Sequence, residues 1–293
     1  MKTLLVRERL WIARGAAVAL LAWASVCAAK AQMPGTQGQM NGSVPNQTAV
    51  GSTGGGMTDQ LQFGTMGHQV ERDQDAAYKA LLKEPEPVRK IELGNSFLKK
   101  YPKSPFEERV DYELMNAYRS RKDWTNAYRF GDSALALNPD DVDVLAIEGW
   151  TIPHVSNPND PDADQQLTKA QNYANHALDV LAKLKKPKDM TDGQFASAKS
   201  MRQFQAHSAL GIVDFRRNDY ENSAKELQQA TTGNPTPDPT DLFILGVDYQ
   251  NLKRYGEAAD AYGACAQIAG ALQDRCKQSA SATKAAADQS KTN

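Results

Sequence analysis

The sequence predicts an all-α protein, a solenoid of four to five stacked helix pairs closed by a C-terminal capping helix. Three observations predict it. From residue 72 onward apolar residues recur at spacings of three and four, and alternating β-branched runs are absent. Prolines and clusters of Asn, Asp and Gly fall between these segments, where helices stop. The segments also repeat. Laying 245–270 over 210–235 puts Leu245-Gly246 on Leu210-Gly211, Tyr255 on Tyr220, Ala258 on Ser223, Tyr262 on Leu227 and Cys265 on Ala230, at a constant offset of 35.

The N-terminus stands apart from this pattern. MKTLLVRERLWIARG is basic, GAAVALLAWASVCAA is apolar, and Ala29-Lys30-Ala31 offers small residues for a cut before Gln32, the three-part plan of a secretory signal peptide over 1–31. An uncut membrane anchor fits less well, because the apolar run is shorter than the roughly 20 residues a span needs. Lipidation at Cys27 is disfavoured by Val26, which stands where a small residue is required. Removing 1–31 takes the net charge from −1 to −5, so nothing in the balance attracts nucleic acid or an anionic membrane. It also leaves two cysteines, Cys265 and Cys276. In an oxidising compartment these are a candidate disulfide, although Cys265 has a separate packing reason to be small.

Residues 32–71 read as a flexible linker: 33–68 hold nine glycines with Asp59 as the one charge. The helical region should then run over 72–287, with 288–293 a disordered tail. A third copy of the repeat carries Leu114, Tyr118, Trp124, Ala127, Gly131 and Ala134 and ends at Pro139. A fourth is split. Leu145, Gly149 and Trp150 mark its first helix and Ala170, Ala174 and Ala177 its second, with about nine extra residues in SNPNDPDADQQ between them. IELGNSFLKKYPKSPFEERVDYELMNAY is a degenerate earlier copy. Thr191 with Gln194 three residues later forms a capping box for a long helix over 191–217. GALQDRCKQSASATKAAADQ is alanine-rich with polar residues interspersed, as a solvent-facing cap is.

These repeats resemble the tetratricopeptide repeat (TPR) family, whose unit of about 34 residues runs W-x2-L-G-x2-Y, small Ala, aromatic, Ala, Pro. Residues 239–272 match best, with Leu242 in the Trp position. Residues 204–237 depart at Asp214, which takes the first Tyr position, and residues 108–141 at Asp111 and Met115. FLKKYPKSP is similar to repeat starts in periplasmic TPR proteins, including the outer-membrane assembly lipoprotein family. The resemblance implies that the second helix of each pair packs across the first, with small residues at the crossing: Ala258 facing the Gly246 turn and Cys265 facing the next helix. It also implies an open concave groove, lined by Arg109, Tyr112, Asn116, Arg119, Trp150, Ser208, Ile212, Phe215, Arg216, Phe243, Val247, Gln250 and Asn251. Arginines and aromatics there suit a peptide, through apolar area and charge-assisted hydrogen bonds.

No pattern points to catalysis, a metal or a cofactor. His68, His154, His176 and His207 form no ligand pair and no HExxH, and there is no GxSxG, CxxC or Walker sequence. Asp160, Asp162 and Asp164 alternate as in a calcium loop, but Gln165 and Gln171 stand where Gly and Glu are required. The expectation is a non-enzymatic scaffold, exported to the periplasm, that binds a protein or peptide in cell-envelope assembly or organisation. A self-associating homo-oligomeric scaffold and a glycan-binding accessory module are the alternatives.

Overall fold

A computed structural model describes residues 59–292, the side chains of 59–69 and 289–292 aside. Among the described residues it is entirely helical between its turns: α1 (Asp59–Lys83), α2 (Pro87–Lys100), α3 (Glu107–Ser120), α4 (Trp124–Leu137), α5 (Val142–Val155), α6 (Ala163–Lys183), α7 (Asp192–Arg216), α8 (Tyr220–Thr231), α9 (Pro239–Asn251), α10 (Tyr255–Ala266) and α11 (Gln273–Thr292). No helix among them is long and apolar enough to cross a membrane. The expected signal peptide and linker residues 32–58 lie outside the described residues.

The helices pair as the repeats require: α3 with α4, α5 with α6, α7 with α8 and α9 with α10. Successive pairs also meet, α5 against α7 and α8 against α9, and α2 leads into α3. The chain is thus a TPR-like α-solenoid. Two boundaries differ from expectation. Residues 59–71, expected as linker, belong to α1, and the tail from 288 is helical as far as Thr292. In both cases a helix anchored at one end is extended through a polar sequence, since propagation is cheap once the nucleus is fixed. The anchor of α1 is Leu81 with Ala77 and Tyr78, packed among Phe97, Tyr101, Val110 and Leu114, with the Tyr78 ring stacked on Phe106 at 4.3 Å.

The sharp turn inside three of the pairs is the same turn. Lys122, Asn218 and Lys253 each follow a first helix and each hold a left-handed backbone (φ 60°, 64° and 64°). The next residue then donates its backbone N–H five positions back, Asp123 to Tyr118, Asp219 to Asp214 and Arg254 to Tyr249, at 3.1, 2.9 and 2.8 Å. This closes the free carbonyls of the helix end. In two of the three, an aspartate then caps the second helix, Asp123 from Asn126 N–H and Asp219 from Asn222 N–H. Elsewhere Asp141, Asp238 and the Thr191–Gln194 capping box start α5, α9 and α7.

In the α7–α8 and α9–α10 pairs the distance between helices is set by a glycine filled from across the pair. A Cβ on Gly211 would lie 2.5 Å from Leu227 Cγ, and one on Gly246 would lie 2.6 Å from the Tyr262 ring. Leu227 and Tyr262 are the residues that superpose at the 35-residue offset, so the sequence period is a knob and a hole used twice. The residue seated on Gly246 is therefore Tyr262, not Ala258. Ala258 is fully buried one helical turn earlier in the same core. In the α4–α5 contact the hole is Gly131 and the knob is the acidic side chain of Glu148.

At the C-terminal end, Cys265 of α10 is bonded to Cys276 of α11, and both are fully buried beside Leu242 and Ala266. Thr283 of α11 receives a hydrogen bond from Gln250 Nε2 at 2.8 Å. The cap is thus fixed by a covalent link near its start and a polar contact further along.

Two stability measurements follow from this packing. Gly246→Ala should cost about 2–3 kcal/mol, because the fully buried Tyr262 ring has nowhere to move. Gly263→Ala, where a Cβ would meet nothing within 4 Å, should be neutral or stabilising by up to about 1 kcal/mol. Equal effects of the two in urea titrations would refute the knob-and-hole account. Cys276→Ala should lower stability by about 3 kcal/mol, the scale for a short closed loop. Hydrogen exchange should then quicken in α11 before α9, and uniform quickening would show that the cap is not a separate docking unit.

Candidate partner-binding face

The first helices follow one another: α5 packs on α7, α7 meets α9, and Glu108 of α3 reaches Asp141 at the start of α5. On α3 the outward stripe is a continuous polar ladder. The Arg109 guanidinium lies 4.0 Å over the Tyr112 ring. Asn116 Nδ2 donates to the Tyr112 carbonyl at 3.1 Å, and Asn116 Oδ1 accepts from Arg119 Nη2 at 3.2 Å. Arg119 is half-buried, and its Nε has no hydrogen-bond partner among the described residues. Burial pushes its pKa below the ordinary guanidinium value, and the nearby Arg202 charge pushes the same way against the Tyr112 phenol. Among the described residues no carboxylate faces this guanidinium closely enough to oppose that shift.

A second centre lies at the ends of α5 and α7. The Trp150 ring lies tilted against His154 with ring centroids 4.1 Å apart. Arg216 donates from Nη1 to Ser156 Oγ and from Nη2 to the Ser156 carbonyl, at 2.9 and 3.0 Å. It is desolvated as Arg119 is, which lowers its pKa. Phe215 turns toward Tyr220 and the core shared with α9.

Several expected groove residues are elsewhere. Ile212 and Val247 are core residues, 3% and 5% exposed. Ser208 is buried and donates to Asp241. Phe243 lies against the Tyr262 ring at 5.4 Å and under the Arg275 guanidinium at 4.6 Å. Gln250 is held between the Tyr262 hydroxyl and Thr283. The physical reasons differ by helix: Ser208 and Ile212 of α7 are buried against α9, while α11 covers the α9 stripe that carries Phe243 and Gln250. Asn251 remains exposed and bonds only its own helix, to the Val247 carbonyl. The structure therefore gathers Arg109, Tyr112, Asn116 and Arg119 on α3, and Trp150 with Arg216 at α5 and α7, and leaves the α9 set outside the face.

The long α7 adds a surface that the repeat does not supply. Arg202 donates to Asp143 of α5 at 2.6 Å and to Gln205. Beside it a hollow of about 480 Å³ is lined by Gln194, Ser197 and Met201, the last well exposed.

The sequence reading missed a set of buried acids on the first helices. Asp111 accepts from Ser133 Oγ at 2.6 Å, Asp241 from Ser208 Oγ at 2.8 Å and Asp248 from Ser223 Oγ at 2.6 Å, each pair joining two helices. Glu148 is 1% exposed, and neither of its oxygens has a hydrogen-bond partner among the described residues. Asp111 in the Trp position was the one visible signal. Burial drives all four upward: Asp111 to about 6, Glu148 and Asp248 to about 8, and Asp241 well above the usual carboxylate range. Two other histidines pair with acids, His176 with Asp140 at the surface and His207 with Glu226 at a half-buried position, at 2.8 and 2.7 Å.

The acids give stability a definite pH slope. A carboxyl raised in the folded chain keeps a proton that the unfolded chain has already released, so its stabilising contribution is full at low pH and is lost as pH rises through the raised value. For Glu148 and Asp248 the loss runs from the ordinary carboxylate range up to about pH 8. The part above about pH 6.5 is on the order of 2 kcal/mol per carboxyl. Below about pH 6.5 His154, lowered by burial, works in the opposite sense, because the unfolded chain takes up its proton first. Thermal midpoints should drop from about pH 6.5 to 8.5, and Glu148→Gln should flatten the drop and gain most at the alkaline end. A wild-type midpoint that rises over this range would contradict the assignment.

No protein-family model matches the chain, and no curated protein does. Solved structures similar to it include TTC0263, a thermophilic TPR protein of Thermus thermophilus, at 16% identity over 77% of this chain and 97% of that one, with a TM-score of 0.43. They also include PilW, a type IV pilus biogenesis factor, at 14% identity over 74% of this chain and 91% of that one, with a TM-score of 0.47. The assignment of the fold rests on the chain's own repeated pairing.

Proposed function

We propose that this chain is an exported TPR-type scaffold that holds a segment of a protein partner along α3, α5 and α7, in the assembly or organisation of the cell envelope. The observation that carries the reading is the ladder Arg109–Tyr112–Asn116–Arg119. It presents an aromatic ring and a desolvated guanidinium without an opposing carboxylate on one half-exposed face. A cation kept in that state has most to gain from an incoming carboxylate or carbonyl. The role is one of complementarity and does not involve bond-making.

Export is supported by the signal-like 1–31 and by the Cys265–Cys276 bond, which persists in an oxidising compartment. The envelope role follows from export and goes no further than that. Self-association and glycan binding have no specific contact in their favour.

The test places a photo-crosslinking amino acid at Tyr112 and, as a control, at Lys225 on the exposed side of α8. The expected result is a discrete protein adduct from Tyr112 that is absent at Lys225 and lost in an Arg119→Ala background that still folds. The same adducts from both positions would remove the α3–α7 face from consideration. An adduct of twice the chain mass would replace the partner with a second copy.

A further inference from the structure

The last turn of α5 delivers His154 into the junction where three successive first helices meet. Its Nδ1 lies 2.6 Å from the Trp150 carbonyl oxygen, one turn back on the same helix. A carbonyl can only accept, so Nδ1 carries hydrogen, and in the neutral ring Nε2 is then a bare acceptor. That acceptor faces Asp238 Oδ2 at 4.0 Å and Asp241 Oδ1 at 3.9 Å, beyond bonding reach of either. Asp238 is the N-cap of α9 and Asp241 lies in its first turn. Asp241 Oδ1 also accepts from Ser208 of α7.

The remaining charge at the junction is Arg216 of α7, held on Ser156. From α6, the residues against neighbouring Gly149 are Ala170, Ala174 and Tyr173, whose hydroxyl is taken by Asp132. The Trp150 ring covers the imidazole, and the His154 side chain is 10% exposed.

With His154 neutral, the contact between α5 and α9 bonds nothing at these separations. One proton on Nε2 changes this, making the ring a charged donor toward Asp238 Oδ2 and toward the Asp241 oxygen that already accepts from Ser208, the Asp241 carboxyl keeping its own proton. Charge-assisted bonds of this type close to about 2.7–2.9 Å, roughly 1 Å shorter than the present separations. The helices joined are not neighbours: α7 stands between them. We propose that His154 is a proton-operated latch, and that protonation of Nε2 under acidic conditions bonds α5 directly to the N-terminus of α9 and tightens the curvature of the solenoid.

The proton comes from solvent and no other bond changes. Burial pushes the imidazole below its ordinary value, Asp238 opposes the shift and Arg216 reinforces it, so the latch is open at neutral pH. Closing it would place an imidazolium beside Arg216 and under Trp150, both on the proposed binding face. That last consequence rests on the proposed function, whereas the latch does not.

The test is an NMR titration of the full chain with ¹⁵N-labelled histidine from pH 7.5 to 4.5, with circular dichroism to confirm that it stays folded. His154 Nε2 should move from the acceptor to the donor range, and the backbone amides of Asp238, Thr240 and Asp241 should shift with the same midpoint. Asp238→Asn, at a partly exposed position, should lower that midpoint by about one unit. His154→Gln should abolish the amide shifts. The latch is overturned if Nε2 stays unprotonated to pH 4.5, or if it titrates while the α9 amides stand still. If His154→Gln does not fold, an unchanged midpoint in Asp238→Asn overturns it equally. Failure of crosslinking at Tyr112 would leave this result untouched, so the two ideas fail separately.

Discussion

The solenoid depends on how closely two helices in a pair can approach, and in α7–α8 and α9–α10 that distance is set where a large side chain enters the space above a glycine. Interaxial distances of about 8–10 Å leave no room for a Cβ at such a crossing. Leu227 over Gly211 and Tyr262 over Gly246 are the same contact one repeat apart. The substitution of Tyr for Leu is not neutral, however. The extra hydroxyl reaches Gln250, and Gln250 in turn reaches Thr283 of the cap. The last repeat thus uses its knob twice, once for spacing and once to bind the element that ends the stack.

The α4–α5 contact shows the cost of departing from that plan. There Gly131 receives Glu148, a side chain of suitable length but the wrong polarity. Burying an ionised carboxylate without partners is expensive, and the group responds by retaining its proton. The three Asp–Ser pairs are better satisfied, and each joins a particular helix to a particular neighbour. In a chain of similar repeats, apolar packing alone discriminates weakly between registers. Buried polar pairs suit the task of fixing one, as they do in other helical assemblies.

The legible and illegible parts of this protein divide along the same physical line. Periodicity, helix stops and the 35-residue offset specified the pairing, because they are consequences of one unit stacked repeatedly. The capping box at Thr191 was visible because it is local, whereas Cys265 and Cys276 were read only as a candidate pair, which the structure joins. The face was read less well. Positions copied from the repeat placed Ile212, Val247, Phe243 and Gln250 in a groove, but a repeat pattern cannot say where the stack ends or what then covers it. Of the buried acids only Asp111 left a mark in the repeat, and the setting of His154 was invisible, because it comes from three helices whose side-chain contacts no spacing encodes.

The position of the cap also limits what the proposed face could hold. With α11 over the α9 stripe, the open part runs from α3 across α5 to α7. Three helices at about 8–10 Å spacing cover about 20 Å. An extended segment advances about 3.3 Å per residue, so about six residues would cross this face. Arg119 stands on α3, and Trp150 and Arg216 lie together by His154 at the ends of α5 and α7. A segment of that length with an acceptor toward α3 and an apolar residue beside a second acceptor at its other end would match these groups. A longer or helical partner would have to leave the face at α7 and meet the exposed Met201 beside the Arg202–Asp143 pair. The α7 extension thereby becomes the surface that decides between a short extended ligand and a larger one.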